Sequence, residues 1–387
     1  MKVFLIAGEP SGDLLGARLM SAIRRADSTI EFCGIGGPRM AQEGLNSIFP
    51  MSDLTLFGLA ELLPKIPLIL RRIKETVAAI KAAQPDIVVT IDAPDFCFRV
   101  ARRMMGSNIP FVHYVAPTVW AWRAGRAKKI QPLFKHLLTL FPFEPPYFER
   151  VGLPASFVGH PLLEAGIERA SAERLRSKYN IPADQDILVV LPGSRRSEIG
   201  ALLNEFGEVL KRIKPAHQNL KVVLPAVPHL FESIKAGTAN WPYEPLLLTA
   251  DEDKYDAFKA ARAALAASGT VALELGLAGT PTVIAYRIHP LTAALYRRLI
   301  KVKYANLVNI MADRMAVPEF IQENCTADRI APALAELLDN NAARAAQIEV
   351  LDKVRPWLSP EGSLTPSDKA AAVVLGLIAR SGLQEAA

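Results

Sequence analysis

The chain has 387 residues, half of them hydrophobic and 22% charged, with a formal net charge of +6. That length and balance exclude a disordered or fibrous chain and predict two domains, each large enough for its own core. The mild basic excess comes with only 7% aromatic residues and no zinc-finger or RNA-binding signature. It argues against nucleic acid and for an anionic substrate or an anionic membrane surface.

The three cysteines, Cys33, Cys97 and Cys325, are far apart and lack metal-ligand spacing. They predict a reducing cytosol, with neither a disulfide frame nor a zinc site. The apolar run Val3–Ala7 is too short for a signal peptide. No run reaches the roughly 18 apolar residues of a membrane span.

In chain order, Val3–Ala7 reads as a buried strand. It runs into the turn Gly8-Glu9-Pro10-Ser11-Gly12-Asp13 and then a helical pattern through Leu15, Leu19 and Ile23. The turn is not a phosphate loop, because no Gly-Lys-Ser/Thr follows. Glu9 and Asp13 would repel a bare phosphate, so hydroxyl groups are the expected ligands. Ser11 and Asp13 have capping as the competing explanation. Glu31–Ile35 is a second strand. Residues 54–73 are densely apolar, broken by Pro64 and Pro67 and flanked by Lys65, Arg71 and Arg72. Two readings stand: a pair of core helices, or an interfacial segment that dips into lipid with its basic residues on head groups.

Asp86–Asp92 is a third strand, and open α/β sheets bind ligands beyond the carboxyl ends of their strands. Asp92 falls at such an end. Asp95, just after Pro94 at the start of the next helix, is explained by capping and the helix dipole, so Asp92 is the stronger functional candidate. Pro110–Val115 is a further strand. The loop after it carries Trp120 and Trp122, which either pack in the core or form the apolar face of a sugar site. His136–Phe141 and Ser156–Val158 complete this half, and Gly159-His160-Pro161-Leu162 reads as a hinge.

The second half repeats the pattern. After the helix Ser171–Tyr179, the strand Ile187–Leu191 ends at Pro192-Gly193. Ser194, Arg195 and Arg196 follow, then a helix with Leu202, Leu203, Phe206, Val209 and Leu210 on one face and Ser197 as its expected N-cap. Strand, glycine turn and an arginine-bearing helix start make an anion site. Leu220–Pro225 and Pro245–Thr249 are further strands. Ala263–Ala267 leads into Ser268-Gly269-Thr270, where N–H groups at Gly269 and Thr270 suit a diphosphate. Glu274, one turn into that helix, is placed to accept hydrogen bonds from a ribose diol or to complement the helix dipole. Thr282–Tyr286 is a strand, Asn306–Asn309 lies in a loop, and the chain is helical from Ala327 onward.

Several motifs then occur in a fixed order: GEPSGD at 8–13, IDAPDF at 91–96, HYVAPTVWAWR at 113–123, GHPL at 159–162, LPGSRRSEI at 191–199 and ASGTVALE at 267–274. In these the chain resembles lipid-A-disaccharide synthase of Gram-negative bacteria over essentially its whole length. The resemblance implies an α/β fold with two facing Rossmann-like domains of the GT-B type and a helical C-terminal segment. Residues 1–165 would form the acceptor domain, 166–355 the UDP-sugar donor domain, and 356–387 would pack back on an N-terminal domain.

It further implies an inverting glycosyltransferase with UDP-2,3-diacylglucosamine as donor and 2,3-diacylglucosamine 1-phosphate (lipid X) as acceptor. Asp92 would be the general base. Arg195, with the N–H groups of Gly269 and Thr270, would stabilise the leaving diphosphate. Ser194, Glu274 and Asn309 complete the donor set, and Glu9, Ser11, Asp13, His113 and Trp120 the acceptor set. No metal or other cofactor is implied. The expected location is the cytoplasmic face of the inner membrane, bound peripherally; a homodimer with exchanged C-terminal segments is left open. The family usually has Leu-Pro-Asn where this chain has Leu307-Val308-Asn309, which predicts a looser loop around Asn309. The competing functions are a UDP-sugar epimerase or hydrolase of similar architecture and a non-catalytic UDP-lipid-binding membrane protein. The 54–73 segment and the tryptophan loop count against the first, and product formation would exclude the second.

Overall fold

The computed structural model describes residues 1–54, 59–122, 125–288, 293 and 302–385, with backbone only for 59–64 and 381–385. Residues 55–58, including Leu56 and Phe57 of the apolar segment, and Arg123 of the tryptophan motif lie outside the described residues. The chain divides into two compact units: Met1–Leu163 with Leu358–Ala387, and Glu164–Trp357.

The first unit is built on a parallel sheet of β1 (Lys2–Ala7), β2 (Glu31–Ile35), β3 (Ile87–Ile91), β4 (Phe111–Tyr114), β5 (His136–Thr139) and β6 (Ala155–Phe157), in the order β2-β1-β3-β4-β5-β6. Val3 pairs with Ile87 and Ala7 with Ile91, so β1 and β3 end level. Period-two alternation sends Phe4, Ile6 and Val88 into one core, and Val3, Leu5, Ile87 and Val89 into the other. Both faces are covered, which is why these strands read as unbroken apolar runs. The helix Pro10–Ala26 covers one face beside the C-terminal helix Pro366–Glu385, whose Ala370, Ala371, Val374 and Ile378 join the same cluster as Val3 and Leu5. Burying side chains of that size contributes about 1.5–3 kcal/mol each for the larger ones. An Arg25–Asp368 ion pair at 2.6 Å closes the edge of that contact.

The second unit repeats the plan with β7 (Ile187–Leu191), β8 (Lys221–Pro225), β9 (Leu246–Leu248), β10 (Ala263–Ala267), β11 (Thr282–Tyr286) and β12 (Glu319–Ile321), in the order β12-β11-β10-β7-β8-β9. The helices Arg196–Ile213 and Ala327–Asp339 pack on one face through Leu202, Phe206, Leu334 and Leu338. Ala263, Ala264, Ala266 and Ala267 keep β10 narrow.

Each sheet reverses its winding once, between β1 and β3 in the first unit and between β7 and β10 in the second. The crevices of open α/β sheets lie at such reversals, outside the carboxyl ends of the flanking strands. The chain leaves those four strands through 8–9, 92–93, 192–195 and 268–270, and a helix starts directly after each, so the first turn is shorter than the expected 8–13.

Three local expectations are corrected. The apolar segment is not a pair of helices broken at Pro64 and Pro67: one helix, Leu59–Ala83, runs through both. The prolines fall within about its first three turns, and burial of Ile69, Ile73 and Ile80 holds the remainder on the core. Asn306–Asn309 is not a loop, because Leu307–Ala312 is a short helix capped by Asn306. The helix after β7 starts at Arg196, so Ser197 lies inside it and Arg195 takes the N-cap place.

Candidate active site

In the first unit, β3 ends in a sharp turn. Asp92 and Ala93 both adopt positive φ, 51° and 43°, a left-handed conformation that costs an L-residue roughly 1–2 kcal/mol. The turn is held because Asp92 N–H donates to the Tyr114 carbonyl (2.9 Å) and Cys97 N–H to the Ala93 carbonyl (3.0 Å). Strain of this kind, retained at the end of a strand, is a mark of functional positions. The Asp92 carboxylate is half-buried and accepts from Ser11 Oγ at 3.3 Å. Burial pushes its carboxyl above the usual range, against the opposing pull of the Ala93 N–H and the Ser11 hydroxyl. Residues 8–13, which are Gly8, Glu9 and the first turn of the helix Pro10–Ala26, reach Asp92 because Gly8 and Gly12 carry no side chain. A Cβ at Gly8 would stand 2.8 Å from Ala93 Cβ, and one at Gly12 3.3 Å from the Ile91 carbonyl oxygen. Glu9, at the N-cap of that helix, and Ser11, in its first turn, are exposed.

Not every expected residue joins them. Asp13 is not an open ligand. It is buried and accepts the N–H groups of Gly37, Arg39 and Met40 at 2.8–3.0 Å, capping the helix Pro38–Gln42 rather than its own. Gly37 is needed for this, since its Cβ would stand 2.6 Å from an Asp13 carboxylate oxygen. His113 is also corrected. It has no exposed surface, its Nδ1 shares a 2.8 Å hydrogen bond with Thr90 Oγ1, and its ring packs on Phe98 and Phe134. Burial, with Arg126 nearby, pushes the imidazole down to about 3, so it stays neutral in the core. Trp120 is half-buried, with Nε1 donating to Glu144 (3.1 Å) and its ring set edge-on to Phe143. Asp95 makes no capping bond, contrary to the expectation. Its side chain is 94% exposed, with Arg126 at 3.9 Å.

In the second unit a cavity of about 480 Å³ opens beyond β7 and β10, lined by Gly193, Ser194, Arg195, Ser268, Gly269, Thr270 and Glu274. Gly193 (φ +121°) and Gly269 (φ +156°) make the two turns. No hydrogen bond among the described residues uses the N–H of Gly269 or Thr270, leaving these donors at the start of the helix Val271–Ala278 for an anion. The Arg195 side chain is 76% exposed and donates to Glu198 at 2.7 Å. The other Glu198 oxygen accepts the N–H groups of Ser194 (2.9 Å) and Arg195 (3.3 Å). Glu274 pairs with Lys254 Nζ at 3.0 Å, and both line the cavity.

Asn309 does not reach it. The side chain is fully buried, donates to the Val317 carbonyl and Glu319, and accepts the N–H groups of Ala316 and Val317. All its hydrogen-bonding capacity is spent internally. The expected loosening from Val308 is corrected as well. Val308 N–H donates to Asn306 Oδ1 at 2.9 Å, a capping bond that proline has no hydrogen to make.

The glycine turns and unused N–H groups of the second unit suit an anionic group, and the first unit offers a strained, half-buried carboxylate. The lipid-A-disaccharide synthetase family matches residues 3–370. The chain is 55% identical over 381 residues to the lipid-A-disaccharide synthase of Rhodospirillum centenum, covering 98% of this chain and 95% of that one.

The chain belongs to the lipid-A-disaccharide synthetase family.

A second relative, the lipid-A-disaccharide synthase of Gluconobacter oxydans, is 43% identical, covering 97% of this chain and 90% of that one. Among solved structures, UDP-GlcNAc 2-epimerase from Neisseria meningitidis, bound to UDP-GlcNAc, aligns with a TM-score of 0.63 at 11% identity, covering 98% of this chain and all of that one. A glycosyltransferase from Rickettsia africae gives 0.59 at 12%, covering 98% of each. At such identities these two bear on the fold alone, which is of the GT-B type with two Rossmann-like domains. As a member of this family the chain is a glycosyltransferase of lipid A biosynthesis.

Sequence reasoning missed three site-forming residues. Glu198 stands three residues after Arg195, the spacing of a capping box, and that signal was available. Glu144, in the N-cap place of the helix Pro145–Glu149 after β5, is buried and accepts from Leu140 N–H, Phe141 N–H and Trp120 Nε1. Burial pushes its carboxyl up to about 7, despite the pull of those three donors. Lys254 lies 20 residues from Glu274 in sequence, on the separate helix Asp251–Ala260. Neither of the last two has a local signal.

Proposed function

We propose that this chain transfers 2,3-diacylglucosamine from UDP-2,3-diacylglucosamine to the 6-hydroxyl of lipid X with inversion, giving a β-1,6-linked disaccharide 1-phosphate and UDP. The single observation that carries the catalytic assignment is Asp92, a strained, half-buried carboxylate at the winding reversal of the first sheet. Burial raises its pKa, which makes the ionised form a better proton acceptor than a solvated aspartate. Asp92 takes the proton of the acceptor hydroxyl as that oxygen bonds to the anomeric carbon. The bond to the diphosphate breaks with its electron pair leaving on UDP. Ser11, bonded to Asp92, and Glu9, two residues before it, hold the acceptor's hydroxyl groups, and Trp120 offers a ring face to the sugar.

In the second unit the diphosphate sits on the N–H groups of Gly269 and Thr270, with Ser194 and Arg195 opposite. These fixed donors stabilise the charge that grows on the leaving group. Glu274 accepts from the ribose diol.

Membrane attachment is peripheral. No helix among the described residues is long and apolar enough to cross a membrane. Ile66 and Leu70, each 38% exposed and four residues apart on the helix Leu59–Ala83, form an apolar face beside Arg71. Two other members of the expected interfacial set are absent from that face. Ile69 is core, and Arg72 is tied to Asp53 and Glu75 while stacking over the Phe49 ring at 4.6 Å. A homodimer that exchanged the C-terminal helix would keep the same contact with the helix Pro10–Ala26.

The test is incubation of the protein with both lipids. Disaccharide and UDP in equal amounts are expected. UDP release, or sugar isomerisation, without lipid X would instead favour the epimerase or hydrolase reading. UDP binding with no product would leave only a binding protein.

A further inference from the structure

Lys254 is the feature of the donor cavity that neither the sequence motifs nor the proposed mechanism uses. It projects from the helix Asp251–Ala260, while Glu274 projects from Val271–Ala278. The two side chains meet at 3.0 Å, 23% and 14% exposed. The Tyr255 ring centroid lies 4.5 Å from the Lys254 ammonium. Burial pulls that ammonium down, but the charge of Glu274, with Tyr255 and Asp251, outweighs it and holds Lys254 above the usual lysine value.

A carboxylate that must read two hydroxyl groups of a ribose needs one fixed rotamer. An unheld glutamate has three rotatable bonds and loses rotamer freedom on binding. The only side-chain partner of Glu274 among the described residues is Lys254. Arg195, the other cation lining the cavity, is engaged with Glu198 and mostly exposed.

We infer that Lys254 is a positioning residue for ribose recognition: its ammonium takes one oxygen of Glu274 and so aims the carboxylate's remaining acceptor sites at the 2′ and 3′ hydroxyls of a uridine nucleotide. This rests on the reading of Glu274 as the ribose ligand. In this reading Lys254 acts through Glu274 and not on the diphosphate.

The experiment compares dissociation constants of UDP and 2′,3′-dideoxy-UDP by calorimetry for the wild type, Lys254→Met and Lys254→Arg. Methionine keeps the apolar stem and removes the charge; arginine restores a cation. Should the methionine variant not fold, Lys254→Gln, polar but uncharged, takes its place. The wild type is expected to prefer UDP by about tenfold or more, since a site built to bond hydroxyls rejects the analogue lacking them. Lys254→Met should lower that preference to about threefold or less while binding dideoxy-UDP as the wild type does, and Lys254→Arg should recover most of it. Three results overturn the proposal. An equal loss for both nucleotides would make Lys254 a direct diphosphate contact. An unchanged preference in the uncharged variant would make Lys254 and Glu274 a purely structural ion pair. A wild type with no preference would remove Glu274 from the ribose, so that the proposal fails with the reading beneath it.

Discussion

The two units share one architecture and differ in what stands at the carboxyl ends of their strands. In the first, the winding reversal carries carboxylates and a hydroxyl: Asp92, Glu9 and Ser11, with Ser11 donating to Asp92. In the second, it carries glycine turns, a helix start with unused N–H groups, and a cation at Arg195. A glycosyl transfer needs both halves: a base where a hydroxyl is to lose its proton, and positive charge where the leaving group gains electrons. The comparison teaches that the doubly wound sheet fixes only where a site lies. Which side of a glycosyl transfer each unit would serve depends on the handful of residues placed around those strand ends.

Breaking the first half should have the largest effect. Asp92→Asn is expected to lower the single-turnover rate by about 100- to 10,000-fold while UDP affinity stays within about twofold. In the wild type the rate should fall with acid through an inflection above the ordinary aspartate value, because burial raises the Asp92 pKa and only the ionised form accepts a proton. That inflection should be missing from the residual rate of the variant. Asp95→Asn is the control. With its side chain 94% exposed and no capping bond, it should change rate by less than about twofold and stability by under about 0.5 kcal/mol. A dead, folded Asp95→Asn beside an active Asp92→Asn would exchange their roles.

Breaking the second half should cost less. Arg195→Ala is expected to lower kcat/KM by about 2–4 kcal/mol of transition-state stabilisation, with little change in Tm because the side chain is mostly exposed. Normal kinetics in this variant would remove Arg195 from the donor site.

Glu144 and Asn309 sharpen the distinction between support and chemistry. The Glu144 carboxyl has a folded pKa of about 7 against an ordinary 4.5. Its contribution to stability is therefore fully present below about pH 4.5 and lost as pH rises through about 7, on the order of 3 kcal/mol at most. Glutamine at 144 cannot titrate, and its amide turns donors toward donors. Denaturant unfolding should show wild type ahead of Glu144→Gln at pH near 5, with the gap narrowing by about pH 8.5; a gap that widens would contradict the assigned direction. Asn309→Ala leaves buried N–H and carbonyl groups unpaired and should cost about 1–3 kcal/mol of stability, with the Kd for UDP unchanged once the protein is folded. A selective loss of UDP affinity at full stability would return Asn309 to the donor site.

The smallest expected effect is at the lipid face. Ile66→Ser with Leu70→Ser should reduce flotation with anionic vesicles several-fold at unchanged Tm, because both positions are partly exposed already. Ile69→Ser should instead lower stability, since that side chain is in the core.

The strands and their turns were legible because a buried parallel strand declares itself locally. A short β-branched run that ends in glycine or proline needs no distant partner to be recognised, and VFLIA, DIVVTID and ILVVLP are of that kind. The candidate turns followed from those strand ends. Which residues of a turn face a ligand was not legible. Asp13 and His113 stand within the motifs, yet Asp13 is consumed by backbone from residues 37–40 and His113 by Thr90 and two phenylalanines. Asn309 is likewise used up by residues 316–319. Their partners lie a few to dozens of residues away, and no spacing rule records them.

By itself, then, the sequence determined two doubly wound α/β units, the glycine- and proline-bearing ends of their central strands and membership of a transferase family. These rest on local hydrophobic pattern and on motifs that are contiguous in the chain. Only the tertiary structure decided which polar groups are free to do chemistry. It left Asp92 strained and half-buried at its strand end, spent Asp13 and Asn309 on the fold, buried His113 in the core, and joined Lys254 to Glu274 across two helices. A polar side chain has a limited number of hydrogen bonds to give, and whether the fold or a ligand takes them depends on neighbours that only folding brings within about 3 Å.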